Sequence, residues 1–214
     1  MKGNTTMKNI SLLGKRIIIE KSPVLLDYKP DNDWQKYWSV KSGNWHYEDG
    51  FIVGDEPENK GGILFSKEFY SDNVMLTCIG KTVLPSTNDL NAVFCSRWDE
   101  ETDYLGSSYV CGLNGWYENK SGIERNEVGC ESMLYSTTSA FRYEPGTEIE
   151  MTFGAIDGHC FLVVDDLLVT ELIDPNPIKG GHVGFSAYCT KIALKDIKIR
   201  KIYWEELLQS YESK

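Results

Sequence analysis

Period-two alternation of apolar and polar residues dominates this chain. In Glu148-Ile149-Glu150-Met151-Thr152-Phe153, the side chains of Ile149, Met151 and Phe153 share one face and acidic or polar groups take the other. Half-buried antiparallel strands read this way. Lys195 to Ile202 repeats the pattern through Ile197 and Ile199. Two apolar runs, 161–164 and 167–170, flank Asp165-Asp166 and predict a hairpin. Further strands are expected at 16–20, 44–47, 51–53, 63–69, 74–83, 92–98, 108–113 and 183–188. Turn signals such as Glu48-Asp49-Gly50, Glu144-Pro145-Gly146 and Lys179-Gly180-Gly181 separate them. Many short strands with this punctuation predict an all-β, two-sheet antiparallel jelly-roll sandwich, one domain over residues 1–214. Helix is expected only as a turn near 33–37 and as a short C-terminal piece over 204–211, where Leu207, Leu208 and Tyr211 form a stripe.

Composition narrows the partners. The 214 residues carry 22 Lys+Arg against 32 Asp+Glu, a formal net charge of −10, with no basic cluster. Phosphate binding needs concentrated positive charge, so no nucleic-acid partner is expected. No apolar run approaches the roughly 20 residues of a membrane span, so no membrane partner is expected either. Residues 1–15 lack the apolar stretch and cleavage site of a secretory signal, and cytoplasmic residence is the expectation. Cys78, Cys95, Cys111, Cys130, Cys160 and Cys189 form no CxxC pair and sit mostly in apolar runs, as buried thiols do. Asp31-Asn32-Asp33 and Asp99-Glu100-Glu101 offer oxygen ligands, but neither completes a calcium-loop spacing. No metal or cofactor is expected. His46, His159 and His182 lie far apart, without a nucleophile elbow.

Three stretches carry a family resemblance. Trp45-His46-Tyr47-Glu48-Asp49-Gly50-Phe51-Ile52-Val53-Gly54 looks like an opening hairpin, and Gly61-Gly62-Ile63-Leu64-Phe65-Ser66-Lys67-Glu68-Phe69 like the strand pair after it. Gly181-His182-Val183-Gly184-Phe185-Ser186-Ala187-Tyr188, followed by Ile192 to Ile199, looks like the closing pair. Together they resemble the concanavalin A-like lectin/glucanase superfamily, and more narrowly the laminin-G-like sandwiches of bacterial proteins related to 3-keto-disaccharide hydrolases. The resemblance implies a concave sheet facing a saccharide. It implies no reaction, since this architecture hosts lectins, hydrolases and lyases alike. Laminarinase-type members carry Glu-x-Asp-x-x-Glu on one strand; here Glu148-x-Glu150 has no matching third acid.

The middle of the chain holds the candidate chemistry. A pyranose needs a flat aromatic face, planar hydrogen-bonding groups and a backbone that passes close to it. Residues 88–99 place Asn91, Arg97 and Asp99 on one parity and Trp98 on the other, while residues 109–126 mix Gly112, Gly115 and Gly122 with Asn114, Trp116, Tyr117 and Glu124. The expected saccharide contacts are Trp116, Tyr117, Asn114, Arg97, Asn91 and Trp98, and the expected catalytic residue, if a bond is cleaved, is Glu124. Glu124 and Arg125 must face opposite sides of a strand, and Glu124 shares parity with Asn126. Hydrolysis would need a second carboxylate, with Asp89, Asp99, Glu118 and Glu127 open as choices. The other reading is a non-catalytic interaction module, a homo-oligomer among its forms, whose aromatic patch faces protein.

Overall fold

The computed structural model describes residues 8–56, 61–71, 73–127 and 134–207. Strands dominate, and two large antiparallel sheets face one another. The seven-stranded sheet runs Leu134–Thr138, Lys120–Asn126, Ser108–Trp116, Leu90–Ser96, His182–Ala187, Gly62–Ser66, Trp38–Val40 from edge to edge. The eight-stranded sheet runs Leu167–Ile173, His159–Val164, Ile149–Ile156, Val74–Thr82, Thr190–Lys201, Phe51–Glu56, Asn44–Glu48, with Val24–Tyr28 added along the second half of Thr190–Lys201. This is the all-β sandwich that the alternation predicts.

The predicted faces hold. Ile149, Met151, Phe153, Ile197 and Ile199 all enter the core between the sheets. There they meet Ala92, Phe94, Tyr109, Cys111, Leu113 and Phe185 from the seven-stranded sheet. Phe153 links the layers, its ring 6.0 Å from Phe94 and 6.3 Å from Phe185, distances at which aromatic pairs attract. Cys78, Cys111 and Cys160 are buried in this core as small hydrophobes; Cys130 lies outside the described residues. The hairpin at Asp165-Asp166 forms with φ of +46° and +67°, the paired left-handed geometry that matches strand twist.

One expectation is overturned. Trp204–Glu206 is a strand, not the start of a helix, and residues 208–214, including Leu208 and Tyr211, lie outside the described residues. It completes a three-stranded sheet with Ile10–Leu12 and Lys15–Ile17 on the outer face of the eight-stranded sheet. The cause is burial of a second face. Met75, Ile156, Phe161 and Val163 point away from the main core, and Ile10, Leu12, Ile17 and Ile202 cover them. Register adds charge complementarity, because Lys15 stands opposite Glu206 and Arg16 opposite Glu205.

Candidate functional site

The seven-stranded sheet has a second face, turned away from the core. Cross-strand register aligns two rows of side chains on it. One row reads Ile63, Ser186, Asn91, Gly112, Gly122, Thr137; the next reads Phe65, Gly184, Val93, Val110, Glu124, Tyr135. A small hairpin, Trp98–Asp99 with Tyr104–Leu105, folds over part of this face. Leu105 and Trp98 pack there on Ile63, Phe65, Val93 and Val110. What the hairpin leaves open is a groove of about 290 Å³, lined by Asp89, Asn91, Trp116, Glu124, Asn126, Ser186, Tyr104 and Tyr188 among others.

Two facing glycines sink the groove floor. Gly112 and Gly122 are register partners on adjacent strands. A Cβ on Gly112 would lie 1.9 Å from Asn91 Oδ1, and one on Gly122 would lie 3.2 Å from the Trp116 ring. The amide therefore occupies the space above Gly112, and the indole lies against Gly122. Only residues without a side chain permit both. A break in register between Gly112 and Trp116, with Asn114 at φ +55°, bends the strand where the indole enters.

The polar groups interlock. Trp116 Nε1 donates to Glu124 Oε2 at 2.8 Å, which fixes the ring and favours the carboxylate. Burial pushes the Glu124 carboxyl up, and the Trp116 bond opposes that rise. Asp89 is 7% exposed. Its carboxyl is pushed up to about 6 by burial, against the pull of the Asn91 and Asn88 amides, with the Glu124 charge adding to the rise. Asn91 Nδ2 donates to Asp89 Oδ1 at 2.9 Å, and Asn88 Nδ2 donates to the other oxygen.

The groove gathers some of the sequence-expected residues and not others. Trp116, Glu124 and Asn91 line it together. Trp98 sits beside it, supporting the hairpin wall, with its Nε1 donating to Asp103 at 3.3 Å. Asn114 is turned elsewhere: its Nδ2 donates to the carbonyls of Thr87 and Tyr143, and its service is to the bend. Tyr117 is 86% exposed, outside the groove lining, in the turn that follows. Arg97 reaches away, donating to the Lys179 carbonyl at 2.8 Å and lying over Phe69. Cys95 adopts φ +51°, which breaks the alternation before Arg97 and turns it from the face it would share with Asn91.

Among the open choices for a second carboxylate, only Asp89 lines the groove with Glu124. Asp99 caps its own hairpin turn, Glu118 pairs with Lys120, and Glu127 pairs with Arg125. Tyr104, Tyr188 and Ser186 were not singled out by the sequence. Tyr104 comes from the small hairpin and Tyr188 from the bend after His182–Ala187, about 80 residues apart in the chain, so no local pattern joins them. Two larger depressions, of about 520 Å³ each, hold none of the expected site residues.

No protein-family model matches the chain, and no curated protein matches it by sequence. Solved structures do. A protein of unknown function with a galectin-like fold from Bacillus subtilis superposes with a TM-score of 0.67 at 11% identity, covering 85% of this chain and 98% of that one. The carbohydrate-binding module CBM66 from Bacillus subtilis gives 0.61 at 12% identity, covering 76% and 94%. The exoplasmic/lumenal domain of VIP36 in its Ca2+/Man3GlcNAc-bound form gives 0.58 at 12% identity, covering 92% of each chain. At such identities the likeness is one of fold alone: the chain shares the antiparallel β-sandwich of these structures.

Proposed function

We propose that this protein binds a saccharide in the groove on the outer face of the seven-stranded sheet. The observation that carries the reading is the Trp116 indole, held against Gly122 by its bond to Glu124, in a groove that also presents Asp89, Asn91 and two tyrosines. A flat ring beside fixed hydrogen-bonding groups suits a pyranose, which offers C–H faces and hydroxyls together. The fold's occurrence in a carbohydrate-binding module and in a Man3GlcNAc-bound domain supports the same reading. A relation to 3-keto-disaccharide hydrolases is the narrower form of it.

The test is a glycan panel read by tryptophan fluorescence and thermal shift. A bound sugar raises the melting temperature of the wild type. Trp116→Ala lowers affinity by about 10–100-fold, the loss expected of an aromatic anchor, while the fold is retained by circular dichroism. If no sugar binds and Trp116→Ala alters only the oligomeric state, the groove serves protein contact instead.

A second reading, hydrolysis, is favoured by the unequal environments of the two carboxyls. Burial raises both carboxyls, Asp89 to about 6 against two amide donors and Glu124 against the single Trp116 donor, so Asp89 is the first candidate for the proton donor. In this reading Asp89 protonates the leaving glycosidic oxygen, water attacks the anomeric carbon, and Glu124 takes the water's proton. Glu124→Gln then lowers turnover by at least about 100-fold while Trp116-dependent binding persists. Retained turnover removes Glu124 from the mechanism.

A further inference from the structure

The groove's hydrogen-bonding groups are unequally spent. Trp116 Nε1 is committed to Glu124. Asn126 Nδ2 donates to the carbonyls of Leu105 and Gly106, at 3.1 and 2.9 Å, so both its amide hydrogens are used and its oxygen remains. Asn91 is 7% exposed; its Nδ2 is engaged by Asp89, and its Oδ1 is buried without a partner. Exchanging the two ends of that amide would set an oxygen against the Asp89 carboxylate, so the orientation is fixed by its neighbour. A buried acceptor left unpaired costs on the order of 1–3 kcal/mol, and a ligand donor removes that cost.

Charge points the same way. Asp89 and Glu124 both line the groove, and among the described residues no Lys, Arg or His lines it. Lys120 is paired with Glu118, and Lys41 lies over the outer wall at Trp98. Two carboxylates in a half-enclosed groove repel an anionic ligand and attract a cation more strongly than they would in open water. An ammonium group brings three donors at one point. Trp116 and Tyr104 add aromatic faces, which attract cations.

We propose that the saccharide taken by this groove carries an unsubstituted amino group, held as an ammonium by Asp89, Glu124 and the unpaired Asn91 oxygen. This rests on the saccharide reading above and names its ligand class: an amino sugar, neither N-acetylated nor acidic. The elevated Asp89 carboxyl fits it, since a bound cation supplies the neutralisation that a proton otherwise provides.

Calorimetry on the full chain at neutral pH tests the class. The probes are glucosamine oligosaccharides, their N-acetylated counterparts, the equivalent glucose oligomers, glucuronate, and spermidine as a sugar-free amine. The amino oligomer is expected to bind at least about tenfold more tightly than the acetylated or neutral ones, as a charge-assisted hydrogen bond implies. Asp89→Asn should bring that preference down to within about threefold. Equal affinity for the three oligomers overturns the amino-sugar assignment and leaves saccharide binding standing. So do tightest binding of glucuronate and neutral-sugar binding that requires added calcium. Spermidine competing as well as the amino oligomer overturns the assignment too, because the attraction is then to charge alone. Failure of every sugar, with no thermal shift, removes the saccharide reading itself.

Discussion

Asp89→Asn is expected to melt higher than the wild type at pH 8 and to lose that advantage by about pH 4. The Asp89 carboxyl lies at about 6 in the folded protein against 3.8 for the ordinary group. Between those values the folded state holds a proton that the unfolded chain has released, so wild-type stability falls as pH rises from about 4 to about 6. The full shift corresponds to roughly 3 kcal/mol above pH 6. Part of the gain is offset, because a side-chain amide at this position cannot accept from both Asn88 and Asn91 as the carboxylate does. A net gain of about 1–2 kcal/mol remains, or roughly 3–6 °C for a chain of this size. Differential scanning calorimetry at the two pH values decides it. A variant that melts lower at both would mean that the lost hydrogen bonds outweigh the buried charge. A carboxylate that costs stability while lining a groove is what a binding site requires and a structural core does not.

The parts of this molecule legible in the sequence are those ruled by local period. Ile149, Met151 and Phe153 point into the core because a strand alternates, and Glu124 and Arg125 separate to opposite faces for the same reason. Asn91 and Glu124 follow from that rule, whereas Trp116 enters the groove beyond the break in register after Gly112. Arg97 and Asn114 do not follow it either, because Cys95 and Asn114 take left-handed backbone conformations that interrupt the alternation; neither is glycine, so composition gives no warning. The groove wall depends on the hairpin at Trp98–Leu105 folding back, a tertiary event with no period of its own. The strand at Trp204–Glu206 reads as helix in isolation; it is set by its pairing with Lys15–Ile17, nearly 190 residues away. Tertiary burial there overrides a weak helical stripe.

Arg125→Leu is expected to be among the most damaging single changes in the chain. Arg125 turns from the groove face to the inner side of its strand and pairs its Nη1 with Asp174 Oδ2 at 2.8 Å. The Asp174 side chain is 1% exposed. It also accepts from Tyr109 Oη at 2.7 Å and from the Asn176 backbone N–H at 2.8 Å. Arg125 donates as well to the Asn176 carbonyl at 2.6 Å, so one guanidinium ties the loop after Leu167–Ile173 to the strand that carries Glu124. Leucine removes the cation bonded to this buried carboxylate and leaves it with neutral donors. Breaking a buried pair from one side costs about 3–5 kcal/mol, far more than the pair contributes against an apolar replacement of both partners. The loss of Arg125 Nε, itself buried without a partner, offsets only a small part. Urea denaturation should therefore show a stability loss of about 3 kcal/mol. The double variant Arg125→Leu/Asp174→Asn should recover more than about 1 kcal/mol of it, because the uncompensated charge is gone. A double variant as unstable as Arg125→Leu alone would place the cost in lost packing rather than in the stranded carboxylate. Since Glu124 and Arg125 are neighbours on one strand, sugar affinity should return with stability in the double variant if this clamp is what aims Glu124 into the groove.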